Sequence, residues 1–183
     1  MGMPITIHVP GKELYDPIRN TFFTIKETNI TLEHSLISLS NWEAKWHKPY
    51  LSETEKTSEE YLDYLRCMCV TKNVDPNVFY ALDSKSIKDI ADYIQNPMTA
   101  TTFHNRDQKK SREIITSELI YFWMANFSIP FVPCEKWHLN RLLTLIEVAS
   151  IKNQPPKKMN RRDMLSERAA LNAQRRAKHR TRG

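Results

Sequence analysis

The 183-residue chain is 40% hydrophobic and 10% aromatic, enough to bury a core and too much for wholesale disorder. It has three glycines where about a dozen would be ordinary, which disfavours a β-rich sandwich or a glycine-built phosphate loop. The net charge of +6 is uneven: residues 152–183 hold 11 Lys/Arg against 2 Asp/Glu, whereas residues 1–151 hold 16 against 19, so basicity belongs to the C-terminal segment.

Met1-Gly2-Met3-Pro4 shows no apolar run behind a basic start, so a secretory signal is not expected. From residue 4 to residue 33 the chain reads as extended. Ile5, Ile7 and Val9 alternate with polar neighbours, Pro10-Gly11 marks a turn, and Phe22–Ile25 and Thr28–Leu32 are β-prone runs. Two or three short strands follow from that alternation. So short a segment cannot make a sheet core alone and must lie against helices or a neighbouring subunit.

At Ser35 the period changes. Leu36, Leu39, Trp42 and Trp46 share one helical stripe, which Pro49 stops. Thr57 with Glu60 three residues on makes a capping box, opening a helix expected to turn Tyr61, Leu62, Leu65, Met68 and Cys69 inward. Asp75-Pro76 opens a short helix over residues 77–81. Asp83 or Ser84 caps the next, whose Ile87, Ile90, Ala91 and Ile94 stripe ends at Asn96-Pro97. Met98–Phe103 reads as a short strand or extended loop, and Asn105–Ser111 as a charged loop.

Arg112–Asn126 is expected to be a helix apolar nearly all round, as suits a core or an interface. After the break at Ile129-Pro130-Phe131-Val132-Pro133, a helix over Cys134–Ser150 is predicted. Asn153-Gln154-Pro155-Pro156 then separates a last helix over residues 160–180. The expected fold is mainly α: a helical bundle with a small N-terminal β element and a basic C-terminal helix. Its segments are residues 1–33, β-rich and packed on the body; 34–151, the helical body; and 152–183, the basic extension. The apolar stretches are too short for a membrane span of about 20 residues.

No chemistry-bearing constellation stands out. Cys134 and His138 lie one helical turn apart, but Cys67 and Cys69 fall on different faces of their helix, so a four-ligand zinc site is not expected. Cys134, His138 and Glu135 lack the geometry and the oxyanion loop of a nucleophilic site. Neither a phosphate-loop nor a dinucleotide-binding motif occurs. A non-enzyme without metal or cofactor is the expectation. Three free thiols suit a reducing compartment. The basic segment has three readings: a contact for an acidic protein, a less favoured contact for nucleic-acid phosphates, and a solvated helix.

Several strings resemble the tail assembly chaperones of tailed bacteriophages: Leu32-Glu33-His34-Ser35-Leu36-Ile37-Ser38-Leu39-Ser40, Trp42-Glu43, Met98-Thr99-Ala100-Thr101, Arg112 to Tyr121, Trp137-His138-Leu139-Asn140-Arg141-Leu142 and Pro155-Pro156-Lys157-Lys158-Met159. The resemblance spans about Ile5 to Gly183. It implies a small, mainly helical protein of the host cytoplasm that binds the tape-measure protein, keeps its apolar helices soluble and helps the tail-tube protein assemble around it. A homo-oligomer is compatible with that role. The residues expected to bind protein are Trp42, Trp46, Trp123 and Trp137 in the body, by apolar helix-in-groove contact, with Arg161, Arg162, Arg175 and Arg176 as an electrostatic contact. The alternatives are a structural virion protein of the neck, head–tail connector or tail, and a nucleic-acid-binding protein using the basic segment.

Overall fold

Period-two burial decides the N-terminal architecture. A computed structural model describes residues 3–16, 20–103, 113–153 and 161–179. Strands β1 (Ile5–Val9) and β4 (Thr28–Leu32) pair antiparallel, with Ile7 opposite Ile30 and Ile5 opposite Leu32. Their inward residues Ile7, Val9, Ile30 and Leu32 are buried, while Thr6 and His8 face out. Between them β2 (Lys12–Asp16) and β3 (Thr21–Ile25) form a second antiparallel pair. Sequence alternation misses β2, because Lys12-Glu13-Leu14-Tyr15-Asp16 offers only Leu14 to the core. Glycine scarcity does not prevent these turns. Asn20, His47, Asn73, Met98 and Ser128 take left-handed backbone conformations, at φ of 48° to 58°, and asparagine tolerates that region best among non-glycine residues.

Helix α1 (Leu36–Trp46) starts where Ser35 accepts a hydrogen bond from the Ser38 amide, and it ends at left-handed His47, before Pro49 is reached. Helix α2 (Ser58–Met68) opens with the expected capping box: Glu60 N–H donates to Thr57 Oγ1 and Thr57 N–H to Glu60 Oε2. The residues that α2 buries are Glu60, Asp63, Tyr64, Leu65 and Met68, so Tyr64 and not Tyr61 is the central aromatic. Asp75 caps a 3-10 helix (Pro76–Ala81) and Asp83 caps α3 (Ser84–Gln95). On α3 the buried side chains are Ile90 and Tyr93, and Ile87 is exposed.

Residues 98–103 have no regular structure, and the loop expected at 105–111 lies outside the described residues. Helix α4 (Ser117–Asn126) is shorter than expected, since Thr116 accepts from the Leu119 amide and caps it there. The helix predicted from Cys134 is also divided. A one-turn α5 (Phe131–Cys134) is followed by α6 (Leu139–Asn153), with Trp137 and His138 before its start. Helix α7 (Arg161–His179) matches the predicted last helix.

The chain divides into two compact units, residues 1–149 and 150–183. Within the first, α1 lies between two apolar clusters. On one side Trp42 joins Ile7, Val9, Ile25, Ile30 and Leu32 from the strands with Tyr64, Leu65 and Met68 of α2 and Ile90 of α3. On the other, Leu36 and Leu39 meet Ile120 and Met124 of α4, Cys134, and Leu139, Leu142 and Ile146 of α6. The architecture is therefore mixed, with helix predominating, and not a purely helical bundle. The strands supply part of the main core.

A buried polar network joins the two clusters. Tyr64 Oη lies 2.6 Å from His34 Nδ1, the His34 amide donates to Tyr93 Oη at 3.2 Å, and His138 Nε2 lies 3.0 Å from the Tyr93 carbonyl. The two imidazoles are edge-on at 5.0 Å. Burial, with the neighbouring His138, brings the His34 pKa down to about 3, and burial lowers that of His138. Both are neutral near pH 7. The Tyr64 phenol, pushed well up by burial, keeps its proton within hydrogen-bond reach of His34 Nδ1.

A depressed folded-state pKa means that the unfolded chain takes up protons first as pH falls. Stability is fully present above pH 6.5, the ordinary histidine value, and is lost as pH falls toward about 3, by up to about 1.4 kcal/mol per pH unit for His34, with His138 acting in the same direction. Urea denaturation at pH 7.5, 6.5, 5.5 and 4.5 should show that fall begin near 6.5. His34→Asn with His138→Asn should flatten it between 6.5 and 4.5.

Candidate protein-binding surface

The four tryptophans do not form one surface. Trp42 is 1% exposed, and its indole N–H donates to the Glu60 carbonyl at 2.8 Å. It is a core residue with no face to offer a partner. Trp46 is half-buried beside it, rings stacked at 6.2 Å, and donates to Asp63 Oδ2 at 2.8 Å. Asp63 also takes Lys45, an ion pair between α1 and α2, and Glu60 takes Lys48 just beyond the end of α1; both carboxylates are largely buried. Burial pushes the Asp63 pKa up, but its bonds to Lys45 and Trp46 outweigh this and hold it low.

Trp123 and Trp137 are half-buried against the second cluster. The Arg141 guanidinium sits 4.5 Å above the Trp137 ring, a cation–π arrangement. The indole N–H of Trp137 has no hydrogen-bond partner among the described residues. Arg175 and Arg176 are exposed on α7. Arg161 and Arg162 lie on the same helix, with side chains outside the described set.

The exposed apolar groups lie elsewhere. On α4, Ile120 and Met124 are buried and Phe122 is 63% exposed. On α5, Phe131 is 45% and Val132 69% exposed. The two elements are joined by the Tyr121 and Phe131 rings, edge-on at 5.4 Å, and by Tyr121 Oη donating to Glu135 Oε2 at 3.3 Å. Ile114, just before α4, is also exposed. The sequence signal for this surface was the all-round apolarity of α4: a helix with more apolar faces than the core can cover leaves one in solvent.

A buried carboxylate sets how α4 is held. Glu43 of α1 accepts from the Ser117 amide at 2.7 Å through Oε2 and from the Tyr50 amide at 2.9 Å through Oε1. Ser117 is the first residue of α4, so Glu43 satisfies an otherwise orphaned helix-end donor and puts negative charge at the positive end of the dipole. Nothing in the local sequence pairs positions 43 and 117.

Among the described residues no three His, Cys, Asp or Glu side chains gather as ligands for an ion. Burial raises the Cys67 pKa to about 11, which disfavours the reactive thiolate. No described helix is long and apolar enough to cross a membrane. In comparisons with known proteins, the chain matches no family model, no curated protein and no solved structure.

The division into core and surface aromatics has a measurable consequence. Trp42→Ala should cost about 3–5 kcal/mol, whereas Phe122→Ser should change stability by no more than about 0.5 kcal/mol. Chemical denaturation of the two variants checks this.

Proposed function

We propose that the chain is a protein-binding assembly factor of the phage tail assembly chaperone type, holding apolar helices of a tape-measure protein in the host cytoplasm while tail-tube subunits assemble. The observation that carries this reading is the solvent-facing Phe122 of α4, with Phe131 and Val132 on the adjoining α5. Interfaces favour aromatic anchors at their centre, and an amphipathic partner helix would lay its apolar face on such a surface. The half-buried Trp123 and Trp137 pack against the second cluster, which also buries Ile120 and Met124 of α4. The sequence strings that resemble tail assembly chaperones include Arg112 to Tyr121 and Trp137 to Leu142, which flank it.

Co-expression with the tape-measure protein should give a soluble complex that co-purifies. Phe122→Asp with Val132→Asp should reduce recovery of the partner at least about tenfold, the loss of one or two anchor residues at about 1.4 kcal/mol per factor of ten, while the fold is kept. Mass spectrometry of purified particles should lack the chain. Its recovery there at fixed copy number would make it a structural virion subunit instead.

A further inference from the structure

Helix α7 carries a second, chemically different surface. It has Arg161, Arg162, Arg168, Arg175, Arg176 and Lys178 within its 19 residues. Arg161, Arg168 and Arg175 recur at intervals of seven. An α-helix drifts about 20° per seven residues, so the three stay within about 40° of one line. Arg176 lies about 80° to one side of that line and Arg162 about 120°, with Lys178 about 80° to the other. The two acidic residues, Asp163 and Glu167, fall on the opposite half of the helix at 3.6 residues per turn.

We propose that this arginine stripe binds duplex DNA, with α7 lying along the phosphate-lined major groove. Three observations select that ligand over other anionic ones. No Phe, Tyr or Trp occurs in residues 152–183, which removes the stacking groups used on single strands. The apolar side chains described on α7 are the exposed Leu165 and Leu171 together with alanines, too thin a seam for a protein interface, which needs large buried anchors. The B-form major groove admits an α-helix, whereas the A-form groove of duplex RNA is deep and narrow. Every described side chain of α7 is exposed, including Arg168, Arg175 and Arg176, and the stripe from Arg161 to Arg175 runs about 21 Å at 1.5 Å per residue. Bases would not be read: arginines facing phosphates position a helix without selecting sequence.

The full-length protein is titrated onto a fluorescein-labelled 24-base-pair DNA duplex of mixed sequence and read by fluorescence anisotropy at several salt concentrations. With about five phosphate contacts, affinity should fall about 500-fold between 50 and 200 mM salt. The triple variant R161Q, R168Q, R175Q should bind more weakly and lose only about tenfold over the same range. R161K, R168K, R175K keeps the charge and should stay within about threefold of the parent at 100 mM salt. K85Q, K88Q, K136Q removes the same charge from exposed body positions and should leave the salt response unchanged. The assignment is overturned if the parent does not bind the duplex, if the body variant loses as much as the stripe variant, or if the charge-keeping variant loses binding too. It is also overturned if a 24-mer single strand, a duplex RNA or poly-glutamate binds as tightly as the DNA duplex.

Discussion

Helix α1 must bury both of its sides, and the rest of the first unit is arranged around that demand. An eleven-residue helix with Leu36 and Leu39 toward one cluster and Trp42 toward another has little wetted surface left for its polar groups. Asn41 and Lys45 take that surface, and the buried polar groups are satisfied inside the protein. His34 and Ser35 at one end bond into the network with Tyr64, Tyr93 and His138, and Glu43 near the other takes the amides of Tyr50 and Ser117. A buried carboxylate left unpaired would be costly, so each of these bonds also fixes the position of a neighbouring element. The pose of α4, and with it the direction in which Phe122 points, follows from a charge on α1.

Much of this was legible where the signal is local. The Thr57–Glu60 capping box, the Asp75 and Asp83 caps and the alternation of Ile7, Val9, Ile30 and Leu32 all depend on residues within one or two turns of each other, and the folded chain keeps them. What was not legible depends on distant partners. Glu43 and Ser117 are 74 positions apart, and His34 and Tyr93 are 59. No periodicity encodes such pairs. The tryptophans show the same limit from the other side: helical spacing put Trp42 and Trp46 on a stripe but could not say that the strands and α2 would enclose it. Ile114 and Ile115 continue the apolar pattern of α4 and predict a longer helix, whereas the Thr116 hydroxyl competes for the backbone and starts the helix later.

The two surfaces differ in their physics. The α4–α5 face offers aromatic and aliphatic groups, and contact there gains from removing apolar area from water, a term that salt strengthens slightly or leaves alone. The α7 stripe offers guanidinium groups, whose attraction for phosphate is weakened by every added counterion. A single change of ionic strength therefore moves occupancy of the two in opposite directions or moves only one. Residues 1–149 and 150–183, which carry these surfaces, are separate compact units.

The start of α6 closes off the end of α3. The Asn140 side-chain Nδ2 donates to the carbonyls of Ile94 and Asn96 at 2.9 and 2.8 Å, and His138 reaches that of Tyr93, so acceptors at the helix end gain partners from residues over forty positions later. On the ribosome, where chains grow at about 5–20 residues per second, α3 emerges some seconds before the side chain that seals it. The nascent protein must carry an unfinished helix end through that interval, and completion of its core awaits translation of the segment around Asn140.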